Sequence, residues 1–295
     1  IASATEIVCA LGREADLVGR SHECDYPPSV SKLPVCTEPK FAVEGTSYEI
    51  DQRVKAIVQE GLSVYRVFGK VLDELAPDVI ITQSQCEVCA VSLNDVEAAV
   101  CEMVHTRPEI VSLEPNALAD VWRDIGRVAA ALRMDGGPLI ESLQRRIKAV
   151  AERTRGLAER PTVACIEWIE PLMAGGNWMP ELVEVAGGRN LFGEAGKHSP
   201  WMTFEELAEA DPDVIVVLPC GWDRKQAREA MPPLTTRKEW SSLRAVQRGR
   251  VALTDGNQYF NRPGPRLAES AEILAEIFHP GACDFGHEGV GWEWL

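Results

Sequence analysis

The chain has 295 residues, of which 45 are acidic and 30 are basic, and its net charge of −15 argues against a nucleic-acid partner. A hydrophobic content of 45% supports globular cores, and the length favours two domains. No run approaches the roughly 18 to 20 consecutive apolar residues that a transmembrane helix needs, so no membrane span is expected.

The cysteine content bears on the cellular compartment. Nine cysteines, an odd number, are many for a protein of an oxidising compartment, so the count leans slightly toward a reducing one. Ile1 is not methionine and begins an apolar run that resembles the interior of a strand, so we expect the natural amino terminus to be missing. A removed signal peptide is therefore left open.

The first 28 residues predict a strand, a short helix, a second strand and a turn. Thr5 lies near the helix start, and Gly12 suits its end because glycine readily adopts a left-handed conformation. The second strand is followed by a set of polar and aromatic residues, namely His22, Glu23, Cys24 and Tyr26, before Pro27 and Pro28 stop regular structure. Because open α/β sheets bind ligands at the carboxyl ends of their strands, this set predicts a binding site.

Further strands alternate with helical patterns along the chain. The predicted strands lie near residues 17–19, 79–82, 110–113, 163–168, 214–218 and 251–254. Two of them follow the same device, Ala-Pro-Asp before residue 79 and Asp-Pro-Asp before residue 214, in which proline closes a helix and aspartate opens a buried strand. The pattern predicts two similar α/β halves.

A long helix is predicted over residues 138–159, with an apolar stripe on one side and charges on the remainder. At 1.5 Å per residue such a helix would span about 33 Å, which is enough to connect two domains. An ordinary surface helix within one domain fits the pattern equally well. We expect an amino-terminal domain over 1–115, a helical linker over 116–160 and a carboxyl-terminal domain over 161–295.

Aromatic residues are few, but several are predicted in loops that follow strands or near strand ends. They are Trp168, Trp178, Trp201, Trp222, Tyr259 and Phe260. Rigid aromatic walls suit a large planar ligand. For each residue taken alone, packing beneath a loop is at least as good an interpretation, whereas the set as a whole favours a ligand cleft.

The first 28 residues resemble the start of the cobalamin-binding receptors of ABC transporters, which belong to the helical-backbone class of periplasmic binding proteins. The resemblance continues through short segments at 75–82, 185–192, 199–202, 210–217 and 259–266, and these cover most of the chain in order. It implies two α/β domains joined by one long helix, with a ligand cleft between them. It also favours the connecting interpretation of the helix over 138–159.

The resemblance further implies a cobalamin-like corrinoid as the ligand, bound without chemical change, and an ABC permease as a possible partner. It also implies a periplasmic or other extracytoplasmic location, to which the cysteine count leaves a cytoplasmic location as the alternative. Apolar walls would come from the aromatic set, while Thr5, Glu23, Gln258 and Arg262 would contact amides, phosphate or ribose; Arg262 and Arg266 would alternatively brace their loop. Glu23 stands where those receptors have tyrosine, and Gln258 where they have an acidic residue, so a related rather than identical pocket is implied.

Permease docking in that family uses one glutamate on each domain. Glu205 matches the second of these positions, whereas the first falls near Lys70, which carries the opposite charge. The resemblance therefore supports docking for one domain only. A free corrinoid binder that docks to no permease is the alternative.

Several cysteines raise the question of a metal site or a redox pair. Cys86 and Cys89 follow a predicted strand directly and, with His22 and Cys24, have donors suited to zinc or iron. A second Cys-x-x-Cys or His-x-x-His is missing from the sequence, so packed thiols or plain ligand contact by Cys86 rank above a metal site or a redox pair. Coordination of a corrinoid cobalt by His22 or a thiolate is a further hypothesis.

Familiar catalytic motifs, including the nucleophile elbow, the phosphate loop and His-Glu-x-x-His, do not occur in the sequence. We therefore expect no catalytic residues, no metal and no resident cofactor. The alternatives are a ferric-siderophore or haem receptor of the same fold, for which a basic pocket would be expected, and a cytosolic cysteine-dependent redox or metal enzyme.

Overall fold

A computed structural model describes residues 1–60, 62–84 and 93–295. The chain divides into two α/β units. The first comprises residues 1–45, 49–115 and 119–141, and the second comprises residues 46–48, 116–118 and 142–295. The mixed α/β architecture predicted from the alternating patterns is confirmed.

The first unit is built on short strands. Its elements are α1 (Ala2–Ala10), β1 (Thr37–Pro39), most of α2 (Ser47–Gln59), β2 (Tyr65–Val67), α3 (Gly69–Leu75), β3 (Val79–Gln83), α4 (Leu93–Cys101), β4 (Glu109–Leu113) and most of α5 (Leu118–Ala131). β1 pairs with β2 in antiparallel fashion, and β3 pairs with β4 in parallel. Small apolar clusters around Val64 and Leu72 form part of its core.

The predicted opening of the chain needs two corrections. Ile1 caps α1 and the helix begins at Ala2, so the apolar start is helical rather than extended. The strand predicted near residues 17–19 is not formed, and the extended segment there makes only an isolated bridge between Arg20 and Val35. Gly12 follows α1 with a φ of 77°, as predicted.

The helix α6 (Gly137–Thr154) contains the point at which the chain passes from the first unit to the second, after Glu141. It ends five residues earlier than the predicted boundary at 159. Leu143, Ile147 and Val150 form its buried stripe, as the helical spacing requires.

The second unit contains one larger sheet. Its strands are β5 (Thr162–Trp168), β6 (Met173–Ala174), β7 (Arg189–Asn190), β8 (Val214–Val217), β9 (Val251–Thr254) and β10 (Trp292–Trp294). β5, β8 and β9 are parallel neighbours, β7 is parallel to β5, and β6 and β10 run antiparallel at the edges. Every residue of β8 and β9 is buried, which is typical of a sheet covered on both faces.

Helices α7 (Met179–Val185), α8 (Phe204–Ala210), α9 (Arg224–Glu229), α10 (Pro232–Thr235), α11 (Arg244–Gln247) and α12 (Leu267–Phe278) complete the second unit. Every residue of α12 except Glu269 is buried. Within residues 1–60, 62–84 and 93–295, none of the helices combines the length and apolar character required to cross a bilayer.

The predicted helix-closing device occurs in both units. Ala76 ends α3 in the left-handed region with a φ of 46°, and Asp211 ends α8 with a φ of 40°. A proline and an aspartate then lead into β3 and β8 respectively. In the second unit Asp213 accepts hydrogen bonds from the Thr162 amide (3.0 Å) and the Arg244 guanidinium (2.9 Å), and these contacts help to lower the pKa of Asp213 to about 2 against the opposing effect of burial.

Replacing Ala76 with glycine is expected to raise the free energy of unfolding by about 0.5–1 kcal/mol, because glycine pays no steric cost at positive φ. Urea unfolding measures the change. Ala130, an exposed residue inside α5, is the matched control, since the same substitution there should lower stability by about 0.5–1 kcal/mol. Equal destabilisation by Ala76→Gly and Ala130→Gly would contradict the account.

The carboxyl-terminal tail is fixed to α12 by two glutamates. The Glu276 carboxylate, on a residue that is 4% exposed, accepts from the Phe285 amide (2.5 Å), the His287 amide (3.2 Å) and the Trp292 indole (2.6 Å). The Glu272 carboxylate lies 2.9 Å from His287 Nε2 and also pairs with Arg146. These contacts pack the tail against α12.

The ion pair between His287 and Glu272 predicts a pH dependence. The hydrogen bond to Glu272 raises the pKa of His287 in the folded protein. The stability that the protonated imidazole contributes is therefore complete below pH 6.5, the pKa of the unfolded state, and is lost as the pH rises through the higher pKa of the folded state. Burial alone would raise the pKa of Glu272, but His287 and Arg146 lower it. The stability that the ionised carboxylate contributes is therefore complete above pH 4.5 and is lost on acidification. Glu269, Glu276, Arg146 and the Tyr259 ring also face this pair.

We therefore expect His287→Gln to lower the free energy of unfolding by about 1–2 kcal/mol between pH 4.5 and 6.5, and by less at pH 9. Urea unfolding of both proteins across this range measures the difference. A stability gap that does not change with pH would show that the imidazolium charge is not involved.

Candidate functional site

Three loops of the second unit start at the carboxyl ends of adjacent parallel strands. Trp168 is the last residue of β5, Trp222 lies in the loop after β8, and Gln258 and Tyr259 lie in a π-helical turn, Gly256–Phe260, after β9. Because β5, β8 and β9 are neighbours, these loops converge on one edge of the sheet. This edge is where open α/β sheets bind ligands.

The side chains of Trp168 and Trp222 form an aromatic pair. Their ring centroids are 4.9 Å apart at an interplanar angle of 35°. Trp168 is half-buried and its Nε1 donates to the Ser47 carbonyl at 3.3 Å, while Trp222 is 8% exposed. Packing and a hydrogen bond therefore hold the Trp168 ring in place with part of its surface accessible, as a rigid wall for a planar ligand requires.

The turn after β9 is tied closely to the loop after β8. The Asp255 carboxylate accepts from the Gln258 amide at 2.8 Å, and burial raises the pKa of Asp255. The Asn257 amide donates to the Trp222 carbonyl at 3.0 Å, and Asn261 Nδ2 donates to the Leu218 carbonyl at 2.9 Å. Gly256 is required at this approach because an added Cβ would collide with backbone carbonyls of the neighbouring loop.

These contacts identify residues that the sequence analysis did not single out. They are Ser47, Asp255, Gly256, Asn257 and Asn261. The run Asp-Gly-Asn directly after a buried strand is a typical turn signal and could have drawn attention to three of them. Ser47 is distant in sequence and offered no such signal.

The two arginines of this region bond within their own loop. Arg262 is 5% exposed and donates to Asn257 Oδ1 at 2.9 Å, and Arg266 donates to Gln258 Oε1 at 2.9 Å. The Arg266 guanidinium also lies 5.3 Å from the centre of the Tyr259 ring. Of the two predicted roles for these arginines, bracing the loop is the one that these contacts support.

Other members of the aromatic set have different surroundings. Trp178 is buried and its Nε1 donates to the Phe260 carbonyl at 2.9 Å, while the Phe260 ring has no exposed surface. Both rings therefore support the turn from beneath and do not line a surface. Trp201 is 56% exposed, and its backbone forms an isolated bridge with Met173.

The predicted site residues of the first unit that the structure describes lie in one loop and on α1. Arg20 organises this loop, since its guanidinium donates to the carbonyls of Ser21 (3.2 Å), Cys24 (3.1 Å) and Ser31 (3.2 Å). Cys24 is 1% exposed, and its sulfur accepts from Thr5 Oγ1 at 3.1 Å. Thr5 and Cys24 are thus brought together, but as a buried hydrogen-bonded pair.

His22 and its neighbours are more accessible. His22 Nδ1 lies 2.8 Å from Thr37 Oγ1, its ring centroid is 5.4 Å from that of Tyr65, and burial lowers its pKa. Burial therefore favours the neutral form of the imidazole. Glu23 Oε1 lies 4.0 Å from His22 Nε2, and Tyr26 is 42% exposed. The loop offers a ring nitrogen, a carboxylate and a phenol.

The proposed thiol cluster is described only in part, because Cys86 and Cys89 lie outside the described residues. In residues 1–60, 62–84 and 93–295 the structure contains no group of three or more His, Cys, Asp or Glu side chains suited to a metal ion. Cys165 illustrates the packing interpretation of a thiol, since burial raises its pKa to about 12. The proposed interpretations of Cys86 and Cys89 remain predictions.

A covered parallel sheet with aromatic residues at its carboxyl edge defines the class of ligand-binding α/β proteins. A family model described as periplasmic binding protein matches residues 2–257, so the chain belongs to that family. The description of the family is that of a binding protein, which supports a binding role for this chain at a coarse level. Its periplasmic description does not support the reducing compartment that the cysteine count suggested.

Comparisons with individual proteins agree with the family. An uncharacterised ABC transporter substrate-binding lipoprotein of Bacillus subtilis, YvrC, is 23% identical over 288 residues, covering 94% of this chain and 78% of that protein. The periplasmic haem-binding protein RhuT of Roseiflexus is similar with a TM-score of 0.70 at 21% identity, covering 95% of this chain and 96% of that one. The vitamin B12-binding protein BtuF of Vibrio cholerae has a TM-score of 0.66 at 18% identity, covering 94% of each chain.

Proposed function

We propose that this protein is the substrate-binding component of an ABC-type uptake system, acts outside the cytoplasm, and binds a cobalamin-like corrinoid without changing it chemically. The observation that carries the proposal is the Trp168–Trp222 pair at the carboxyl edge of the second unit's sheet. A large planar macrocycle buries much apolar area against such rings. The family assignment and the names of the relatives support the transport role.

The polar groups of the second unit favour a ligand with a neutral periphery. Gln258 and Asn257 supply amide groups beside Tyr259, while Arg262 and Arg266 are engaged with those same amides. A corrinoid carries many amides, which match amide and hydroxyl partners. A ligand rich in carboxylates or negative charge would instead favour arginines directed toward it.

Haem is the second candidate. Tyr26 is 42% exposed in the first unit, and a phenol oxygen is one of the side-chain groups that ligate haem iron in proteins. Several proteins of similar fold are haem-binding proteins by name. The internal engagement of Arg262 and Arg266 counts against haem, because its two propionates call for cationic partners.

Calorimetric titration of the purified protein with cyanocobalamin, followed in parallel by visible spectroscopy, tests the proposal. Saturable one-to-one binding of cyanocobalamin, tighter than that of haem or a ferric siderophore, is the expected result. A spectral shift would indicate a protein ligand on cobalt, for which His22 is the residue to substitute. No binding of cyanocobalamin up to high micromolar concentration overturns the corrinoid assignment, and tight binding of haem alone would establish the second candidate.

Glu205 is proposed to contact the permease. It lies in the first turn of α8, its side chain is 79% exposed, and it forms a 3.7 Å ion pair with Arg237. We expect Glu205→Arg to reduce cobalamin uptake by cells at least about tenfold while leaving affinity in solution unchanged, because a charge reversal at a contact mainly affects association. Glu209→Arg, on an exposed residue of the same helix, is the control. Equal uptake by the two variants would contradict docking through Glu205.

A further inference from the structure

The side-chain amide of Gln258 has a fixed polarity. Its Oε1 accepts a hydrogen bond from Arg266 Nη1 at 2.9 Å. A guanidinium carries five N–H donors and no acceptor, so only the oxygen of the amide can face it. The Nε2 group, with its two N–H donors, is therefore turned away from Arg266. A glutamine can ordinarily present either end of its amide, whereas this one presents its donor end.

Arg266 is itself held in the position from which it orients this amide. The residue is 7% exposed, and its guanidinium lies 5.3 Å from the centre of the Tyr259 ring. Its carbonyl accepts from the Ser270 amide at 3.0 Å and from Ser270 Oγ at 3.1 Å, which anchors it at the start of α12. Turning the Gln258 amide around would oppose donors to donors at this contact, and an unmade bond to a buried charged group is costly.

The backbone places Gln258 beside the aromatic pair of the candidate site. The Gln258 amide donates to the Asp255 carboxylate at 2.8 Å, and the preceding residue, Asn257, donates from its amide to the Trp222 carbonyl at 3.0 Å. Gln258 is half-buried, so part of its side chain is accessible. Arg266 covers the oxygen, and the accessible part of the amide is therefore the Nε2 group.

We infer that Gln258 is a fixed hydrogen-bond donor of the ligand site, with Arg266 as the positioning residue that sets its polarity. The inference rests on the proposed function and specifies one of its contacts: Nε2 meets a carbonyl oxygen on a peripheral side chain of the corrinoid. A ligand group that has only N–H donors would meet another donor at this point. A group that has only acceptors is satisfied there.

Two corrinoids without the nucleotide test the polarity of this contact. Dicyanocobinamide carries peripheral amides, which have donors and acceptors, whereas the heptamethyl ester of dicyanocobyrinic acid carries ester carbonyls and no N–H. Affinities of both are measured by visible titration for the parent protein and for Gln258→Glu. That substitution keeps an oxygen for Arg266 but removes the donor.

We expect Gln258→Glu to lower the affinity for the ester at least about tenfold more than the affinity for dicyanocobinamide. The carboxylate opposes an ester carbonyl with nothing to donate, while an amide side chain can turn its N–H toward the carboxylate. Gln247→Glu, on an exposed residue of α11, makes the same change of charge and should leave the ratio of the two affinities unaltered.

An unchanged ratio in Gln258→Glu overturns the inference, because a glutamine with its oxygen toward the ligand would already disfavour the ester in the parent protein. Failure of the proposed function gives a different result. In that case the parent protein binds neither dicyanocobinamide nor cyanocobalamin, and the assigned contact falls with the corrinoid.

The role of Arg266 is measured without ligand, from the ¹⁵N relaxation of the Gln258 side-chain amide. We expect an order parameter of about 0.85 for Nε2 in the parent protein, as in rigid backbone, and a value below about 0.6 in Arg266→Met. Arg266→Lys should retain most of the rigidity, because an ammonium group also has only donors. A mobile Gln258 amide in the parent protein, or an equally rigid one in a folded Arg266→Met variant, refutes the positioning role.

Discussion

Replacing Glu276 with alanine is expected to lower the free energy of unfolding by about 3 kcal/mol. The carboxylate accepts from the Phe285 and His287 amides and from the Trp292 indole, and its residue is 4% exposed. Removing the acceptor leaves three donors in a region with little access to water, and hydrogen bonds to charged groups contribute about 1.5–3 kcal/mol each. Urea unfolding followed by tryptophan fluorescence measures the loss, and limited proteolysis should cut the tail faster.

Two further variants test whether the lost hydrogen bonds of Glu276 cause this destabilisation. Glu276→Gln keeps one oxygen acceptor for the amides but presents an NH₂ group to the Trp292 indole, so we expect a loss of about 1–2 kcal/mol. Glu288→Ala, on an exposed residue of the same tail, should stay within about 0.5 kcal/mol of the parent. A small effect of Glu276→Ala would mean that packing alone holds the tail.

Substituting Trp168 by alanine should weaken ligand binding about 30- to 100-fold if the proposed function is correct. The ring is partly accessible, is held by the Ser47 carbonyl and packs against Trp222 at 4.9 Å, so it offers a preorganised surface. Large aromatic residues of this kind dominate binding energies, with losses of about 2 kcal/mol or more on truncation. Calorimetric titration with cyanocobalamin, and with haem if haem is the chelate that binds, measures the change.

Trp294→Ala provides the matched control, because Trp294 is also partly buried and packs against another indole, that of Trp292. It should leave ligand affinity unchanged. Trp168→Phe should retain more affinity than Trp168→Ala, since a ring remains. The role of the pair in binding is refuted if Trp168→Ala keeps full affinity while its urea unfolding is normal.

The strands that match the sequence predictions include two whose residues are all buried. Residues 214–217 and 251–254 form β8 and β9 at nearly the predicted limits, because burial on both faces and β propensity act together there. The strand predicted near residues 17–19 is not formed. Strand formation requires a partner as well as propensity, and among the described residues this segment makes only the isolated bridge between Arg20 and Val35.

The candidate site was likewise predictable from the sequence only in part. Position relative to the strands was enough to predict that Trp168, Trp222 and Tyr259 lie at strand ends or in the loops that follow, at one edge of the sheet. It could not separate Trp168 from Trp178, since both are tryptophans near strand ends, whereas the fold leaves one partly accessible and buries the other. Burial depends on contacts between residues far apart in sequence, such as the hydrogen bond from Trp178 to Phe260.

By itself the sequence determined the α/β class, the helix-closing device before β3 and β8, and the edge of the sheet where aromatic residues gather. These follow from local preferences and from the period of apolar residues, which act over a few positions. Only the tertiary structure decided that Arg262 and Arg266 brace their loop and that Glu276 holds the tail. Each of these depends on which distant groups pair and which stay open, and that is settled when the chain packs.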